Sequence, residues 1–112
     1  MNVDVVKEND IQILRLEGNV DFATAGPLEA KITELVDGGA VKLLLNFTEV
    51  PFIASAGLRV LLKCAKRLKS QSGSLCVCGT NEVVREVFEF SGFVDLVFKI
   101  FDSERDALDA LK

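Results

Sequence analysis

The chain has 112 residues, 49% hydrophobic and 27% charged, which suits one domain whose single core needs no disulfide or metal staple. Its net charge of −4 argues against nucleic acid and polybasic membrane contacts, both of which need clustered positive charge. No stretch approaches the roughly 20 apolar residues that cross a bilayer.

The opening MNVDVVKEND is charged and lacks an apolar run ahead of a small-residue cleavage site, so no secretory signal is expected. Cys64, Cys76 and Cys78 sit in apolar surroundings and fit a reducing cytoplasm. Without repeats, low-complexity stretches or linkers, residues 1–112 read as a single domain.

Val3–Lys7 alternates, breaks at Glu8-Asn9-Asp10, and is followed by Ile11–Glu17, with apolar residues at Ile11, Ile13 and Leu16. Two short strands joined by a polar turn predict a hairpin, ended by Gly18. A helical period follows. Thr24 is the expected cap, Pro27 falls within the first turn, and Leu28, Ile32, Leu35 and Val36 form the apolar stripe before Gly38-Gly39. Val41–Phe47 is nearly all apolar, as a strand buried on both faces would be.

After Pro51, a second helix is predicted from about Ala56 to Lys69, with Leu58, Leu61, Leu62, Ala65 and Leu68 on one side. Gln71-Ser72-Gly73 is a turn and Ser74–Cys78 another buried strand. A third helix, capped by Thr80 or Asn81, turns Val84, Val87 and Phe88 inward and stops at Ser91-Gly92. Leu96–Ile100 reads as a short peripheral strand, and Ser103 with Asp106 opens a last helix as a capping box. Strands alternating with helices after a hairpin imply a mixed, mostly parallel sheet flanked by helices. The strand order is not readable from this pattern.

The chain contains no histidine. That removes the commonest general base and excludes a Ser–His–acid triad. Ile53-Ala-Ser-Ala-Gly also lacks the glycine that a G-x-S-x-G elbow places two residues before the serine. Cys76-x-Cys78 has one intervening residue and no second pair, so it reads as core rather than zinc ligand. No phosphate-binding glycine loop is present. An enzyme is not expected.

Ser55 stands where a loop turns into the second helix. Read plainly, it is an N-cap worth about 1 kcal/mol. Small neighbours, Ala54, Ala56 and Gly57, also leave its hydroxyl accessible to another protein's active site. A phosphate there would sit at the positive end of a helix dipole. Arg59, Lys63, Lys66 and Arg67 read as a solvated helix face, and Phe93 and Phe101 as core.

At these residues the chain resembles the STAS domain family, in particular bacterial anti-sigma factor antagonists. The resemblance spans the chain. It rests on Gly18-Asn-Val-Asp21, Leu43-Leu-Leu-Asn46-Phe, Phe52-Ile-Ala-Ser55-Ala-Gly57-Leu58-Arg-Val-Leu-Leu62 and Phe88-Glu-Phe-Ser-Gly92-Phe. It implies a STAS-like α/β domain with an N-terminal hairpin and about four helices, acting by partner switching. In that scheme the antagonist binds an anti-sigma factor serine kinase of the GHKL-type ATPase class and frees a sigma factor. Phosphorylation of Ser55 ends the contact, and a PP2C-type serine phosphatase restores it.

The implied contact residues are Asp21, Thr24, Asn46, Ala54, Ser55, Ala56, Gly57, Leu58 and Arg59. No cofactor is implied, and a monomer or weak dimer is expected. The chain departs from the family at Ala54, where many members have Asp, and at Ala56, where many have a second serine. The first change removes a carboxylate beside the switch; the second leaves Ser55 as the motif's sole acceptor. An alternative is a scaffold or sensor-complex subunit that binds proteins without phosphorylation.

Overall fold

The structure is a computed structural model that describes residues 1–94 and 97–111. The alternating start folds as the predicted hairpin: β1 (Asn2–Glu8) pairs antiparallel with β2 (Ile11–Glu17) across a two-residue turn. Asn9 adopts φ +57° there, a left-handed geometry asparagine tolerates well.

β3 (Lys42–Glu49), β4 (Ser74–Cys78) and β5 (Lys99–Phe101) continue in chain order, each parallel to its neighbour. Leu43, Leu44 and Leu45 are all fully buried, which is why β3 reads as an unbroken apolar run. β5 lies at the sheet edge and begins at Lys99; Leu96, predicted to open it, lies outside the described residues.

Three helices, α1 (Phe22–Asp37), α2 (Ser55–Ser70) and α3 (Glu82–Ser91), cover one face of the sheet. Their inward residues, among them Leu28, Ile32, Leu61, Leu68, Val84 and Phe88, join Leu43, Leu45 and Phe47 in the main core. Phe88 meets Phe47 and Phe98 edge-on, with ring centroids 5.8 and 5.4 Å apart. Phe93 and Phe101 are half-buried and pack against the core, in line with the sequence reading.

The start of α1 corrects an expectation. Its N-cap is Asp21, not Thr24, so the helix begins three residues earlier than predicted. Pro27 therefore lies in the second turn, where it has no N–H to offer the Ala23 carbonyl. Asn81 caps α3 by accepting from the Val84 N–H at 2.8 Å, and Gly92 ends that helix at φ +77°.

The basic residues of α2 are largely engaged. Lys63 reaches Glu29 at 2.7 Å, Arg67 reaches Asp37 at 2.5 Å, and Lys66 stands 5.8 Å over the Phe93 ring. Such exposed pairs are screened by solvent and contribute little to stability.

α4 (Glu104–Leu111) covers the opposite face, where Ala107 and Leu108 close over Ile11, Ile13, Leu44, Cys76 and Cys78. Its Ser103 hydroxyl accepts from the Asp106 N–H at 3.2 Å, the serine half of the expected capping box. A polar latch holds the helix down. The Arg15 guanidinium donates to both Glu104 carboxylate oxygens at 2.8 and 3.0 Å, and the Asn46 amide donates at 2.6 Å.

The Arg15 hydrogen bonds, aided by Asn46, hold the Glu104 carboxyl below its ordinary range. A depressed folded value means the latch contributes fully above the unfolded pKa of about 4.3 and is lost as pH falls through the lower folded value. Glu104→Gln is therefore expected to flatten the acid limb of a stability profile built from denaturant midpoints. An unchanged limb would remove the latch's role.

Candidate functional site

The C-terminal ends of β2 and β3 leave the sheet side by side, and their loops zip together. Gly18 N–H donates to the Glu49 carbonyl at 3.0 Å, Val20 N–H to Phe52 at 3.0 Å, and Ala54 N–H back to Val20 at 2.8 Å. Val20 and Ile53 pair in parallel and are both buried. This bridge sets the starts of α1 and α2 next to each other at one edge of the molecule.

The two helix starts are finished differently. At α1 the Asp21 carboxylate accepts from the Ala23 and Thr24 N–H groups at 3.0 and 3.2 Å, while the Thr24 hydroxyl accepts from the Asp21 N–H at 2.9 Å. This reciprocal box satisfies the Asp21, Ala23 and Thr24 donors, three of the orphan N–H groups at the helix start. Asp21→Ala is expected to cost about 1 kcal/mol in chemical denaturation, with Asp21→Ser retaining most of it.

At α2 the N-cap is Ala54, extended at φ −94° and ψ 168°, and no side chain caps the helix. Its carbonyl already accepts from the Leu58 N–H at 3.0 Å. The expectation that Ser55 is the cap is thus corrected: Ser55 is the first helical residue. The cause is tertiary, because the hydrogen bond from Ala54 to Val20 fixes Ala54 in the extended state a cap requires. The Ser55 side chain is exposed and has no hydrogen-bond partner among the described residues.

Gly57 permits the close approach of α2 to the bridge. A Cβ at that position would lie 2.4 Å from Val20 Cγ1 and 2.9 Å from the Val20 carbonyl oxygen, both inside van der Waals contact. Ala56 and Leu58 are half-buried around it, and Arg59 is exposed one turn beyond Ser55.

Asp21, Thr24, Ala54, Ser55, Ala56, Gly57, Leu58 and Arg59 are therefore brought together at this edge. Asn46 is not. Its side chain faces α4, donating to Glu104 and accepting from the Thr48 N–H at 2.8 Å and the Thr48 hydroxyl at 2.6 Å. Residues alternate faces along β3, and Asn46 shares its face with Leu44, away from α1 and α2.

Two aromatic residues of this edge are absent from the expected contact residues. Phe22 is 88% exposed and Phe52 43% exposed. Phe22 is three residues before buried Ala25, so periodicity alone draws it inward. Its position directly after the Asp21 cap was the available signal.

The three thiols are free but buried. Burial pushes the Cys64 thiol up to about 11 and the Cys78 thiol up to about 12, and raises Cys76 as well. At neutral pH none of the three is a thiolate. Among the described residues, no three His, Cys, Asp or Glu side chains cluster to hold a metal ion.

Residues 2–107 match the model of the family described as STAS domain. BtrV of Bordetella bronchiseptica, provisionally named an anti-sigma factor antagonist, is 38% identical over 112 residues, spanning all of this chain and 96% of that protein. The anti-sigma-B factor antagonist of Bacillus subtilis is 34% identical over 98 residues, covering 87% of this chain and 88% of its own. A crystal structure of an anti-sigma factor antagonist from Mycobacterium paratuberculosis superposes with a TM-score of 0.87 at 25% identity, covering 97% of this chain and 92% of that one.

Proposed function

This chain belongs to the STAS domain family, and on that premise we propose that it is an anti-sigma factor antagonist switched off by phosphorylation of Ser55. Unmodified, it binds an anti-sigma factor that is itself a GHKL-type serine kinase, and so frees a sigma factor in the cytoplasm. The observation that carries this reading is the exposed, unengaged Ser55 hydroxyl at the uncapped start of α2. Its antagonist relatives in Bacillus subtilis and Bordetella bronchiseptica support it.

The chemistry belongs to the partner. Ser55 Oγ attacks the γ-phosphorus of kinase-bound ATP, forming the O–P bond as the bond to the bridging oxygen of ADP breaks. The serine proton passes to the kinase, and ADP departs. A PP2C-type phosphatase hydrolyses the ester and returns the hydroxyl. The antagonist supplies only presentation: α2 holds the hydroxyl outward, beside small residues that keep the approach open.

Release follows from charge. The phosphoryl group adds roughly −1.5 to −2 at the surface the partner must cover. Burying it without a partner-side cation costs several kcal/mol, and each 1.4 kcal/mol is tenfold in affinity. The α2 N-terminus, positive and without a side-chain cap, tolerates the anion, so the domain stays folded. The contact surface is Asp21, Thr24 and Ala54 to Arg59, with Phe22 and Phe52 as apolar anchors.

A second reading, a scaffold that binds without phosphorylation, is favoured by Ala54, which places no carboxylate beside Ser55. Incubation with the anti-sigma factor and Mg–ATP separates the two by intact mass. The switch requires a gain of one phosphoryl group, absent in Ser55→Ala; no gain in the wild type supports the scaffold.

A further inference from the structure

The helix that carries Ser55 also carries an unspent cation one turn away. Arg59 is exposed and has no ion-pair or hydrogen-bond partner among the described residues, whereas Lys63 is held by Glu29, Arg67 by Asp37 and Lys66 by the Phe93 ring. Its own helix offers it no anion. Residues three and four positions away are Ser55, Ala56, Leu62 and Lys63, and α2 has no acidic residue in its first turn. Residues four apart on a helix have Cβ atoms about 5–6 Å apart. A phosphate on Ser55 is therefore the one negative group that modification can place within reach of Arg59 on this helix.

From this we infer that Arg59 is the cis counter-ion of phosphorylated Ser55, pairing with the phosphoryl group across the first turn of α2 and withdrawing from the docking surface. The inference rests on the reading of Ser55 as the modified residue. The polarity is the favourable one, with the anion nearer the helix N-terminus and the cation one turn later. The planar guanidinium can donate two parallel N–H groups to phosphate oxygens, a geometry lysine does not offer. Lys63, the next cation along, is held by Glu29 and does not compete.

Two consequences follow. The modified helix start gains an internal ion pair, so phosphorylation tightens the first turn of α2. The partner, meanwhile, meets a phosphate and loses a cation at the same spot. Both changes occur on the surface and need no movement of the core.

The test uses the full chain with phosphoserine installed at position 55 during translation, so no kinase is required. The second ionisation of the phosphate is followed by phosphorus NMR across a pH titration. Its pKa is expected to be lower in the wild type than in Arg59→Gln by about half a unit, roughly threefold in proton affinity. The difference should shrink at roughly 1 M salt, where the Debye length is about 3 Å. Arg59→Lys should restore part of it and Lys63→Gln should change nothing. Equal pKa values in wild type and Arg59→Gln overturn the inference. Binding is judged separately: if the phosphoprotein shows the pairing yet holds the anti-sigma factor as tightly as the unmodified chain, the switch fails and the ion pair stands.

Discussion

Ser55→Asp is expected to weaken the complex with the anti-sigma factor by roughly a hundredfold or more, while the unfolding free energy stays within about 0.5 kcal/mol of the wild type. The two halves of this result have separate causes. A carboxylate at the first helical position lies at the positive end of the α2 dipole, where an acidic side chain is neutral to mildly stabilising. Ser55 is exposed and its side chain has no hydrogen-bond partner among the described residues, so its replacement breaks no hydrogen bond there. The partner, by contrast, must desolvate the new charge to cover this edge. Ser55→Ala adds no charge and should bind as the wild type does. Calorimetric titration of the three proteins reads the affinities, and urea denaturation reads the stabilities. Equal affinity of wild type and Ser55→Asp would remove charge as the agent of release.

Phe88→Ala should do the reverse. Phe88 is fully buried and is the middle ring of three, touching Phe47 on β3 and Phe98 beside β5. With Val84 it fastens α3 to the sheet. Truncating a buried phenylalanine costs about 3–5 kcal/mol through lost transfer energy and the cavity left behind. Against a total stability of about 5–15 kcal/mol that is a large share. Phe88 is buried in the core whereas Ser55 is exposed at the start of α2, so the fraction that remains folded should bind with wild-type affinity. A cost below about 1 kcal/mol would show that the core repacks, and would contradict the rigid scaffold on which the site is placed.

Much of the fold was legible because burial writes itself into the sequence period. β3 shows as Leu-Leu-Leu since both its faces are covered, and α2 shows as a stripe since one of its faces is. The strand order was not legible: alternation reveals that strands and helices follow one another, not which strands are neighbours. The structure supplies it, since all three crossover helices lie on one face and each crossover steps the sheet one strand onward.

The starts of α1 and α2 were the weak point, for two different reasons. At α1 both Asp21 and Thr24 can cap, and only the reciprocal box assigns the cap to Asp21 and the N3 place to Thr24. At α2 the start is decided by a bridge between two distant loops, a contact that no local preference of Ser55 encodes. The site shows the same division. Ser55 and its small neighbours stood out from local chemistry, whereas the exclusion of Asn46 depends on which face of β3 meets α4. Phe22 was hidden for the opposite reason: its spacing suits the core, and its exposure comes from sitting at the very start of α1.

The most direct measurement mixes the preformed complex of this protein and its anti-sigma factor with Mg–ATP, following dissociation and phosphoryl incorporation in the same reaction. With the wild type, the complex should fall apart at the rate at which Ser55 is phosphorylated; with Ser55→Ala it should persist while ATP remains. Dissociation of the Ser55→Ala complex at the wild-type rate would contradict the account, because the partner would then be leaving without any charge having been placed at the start of α2.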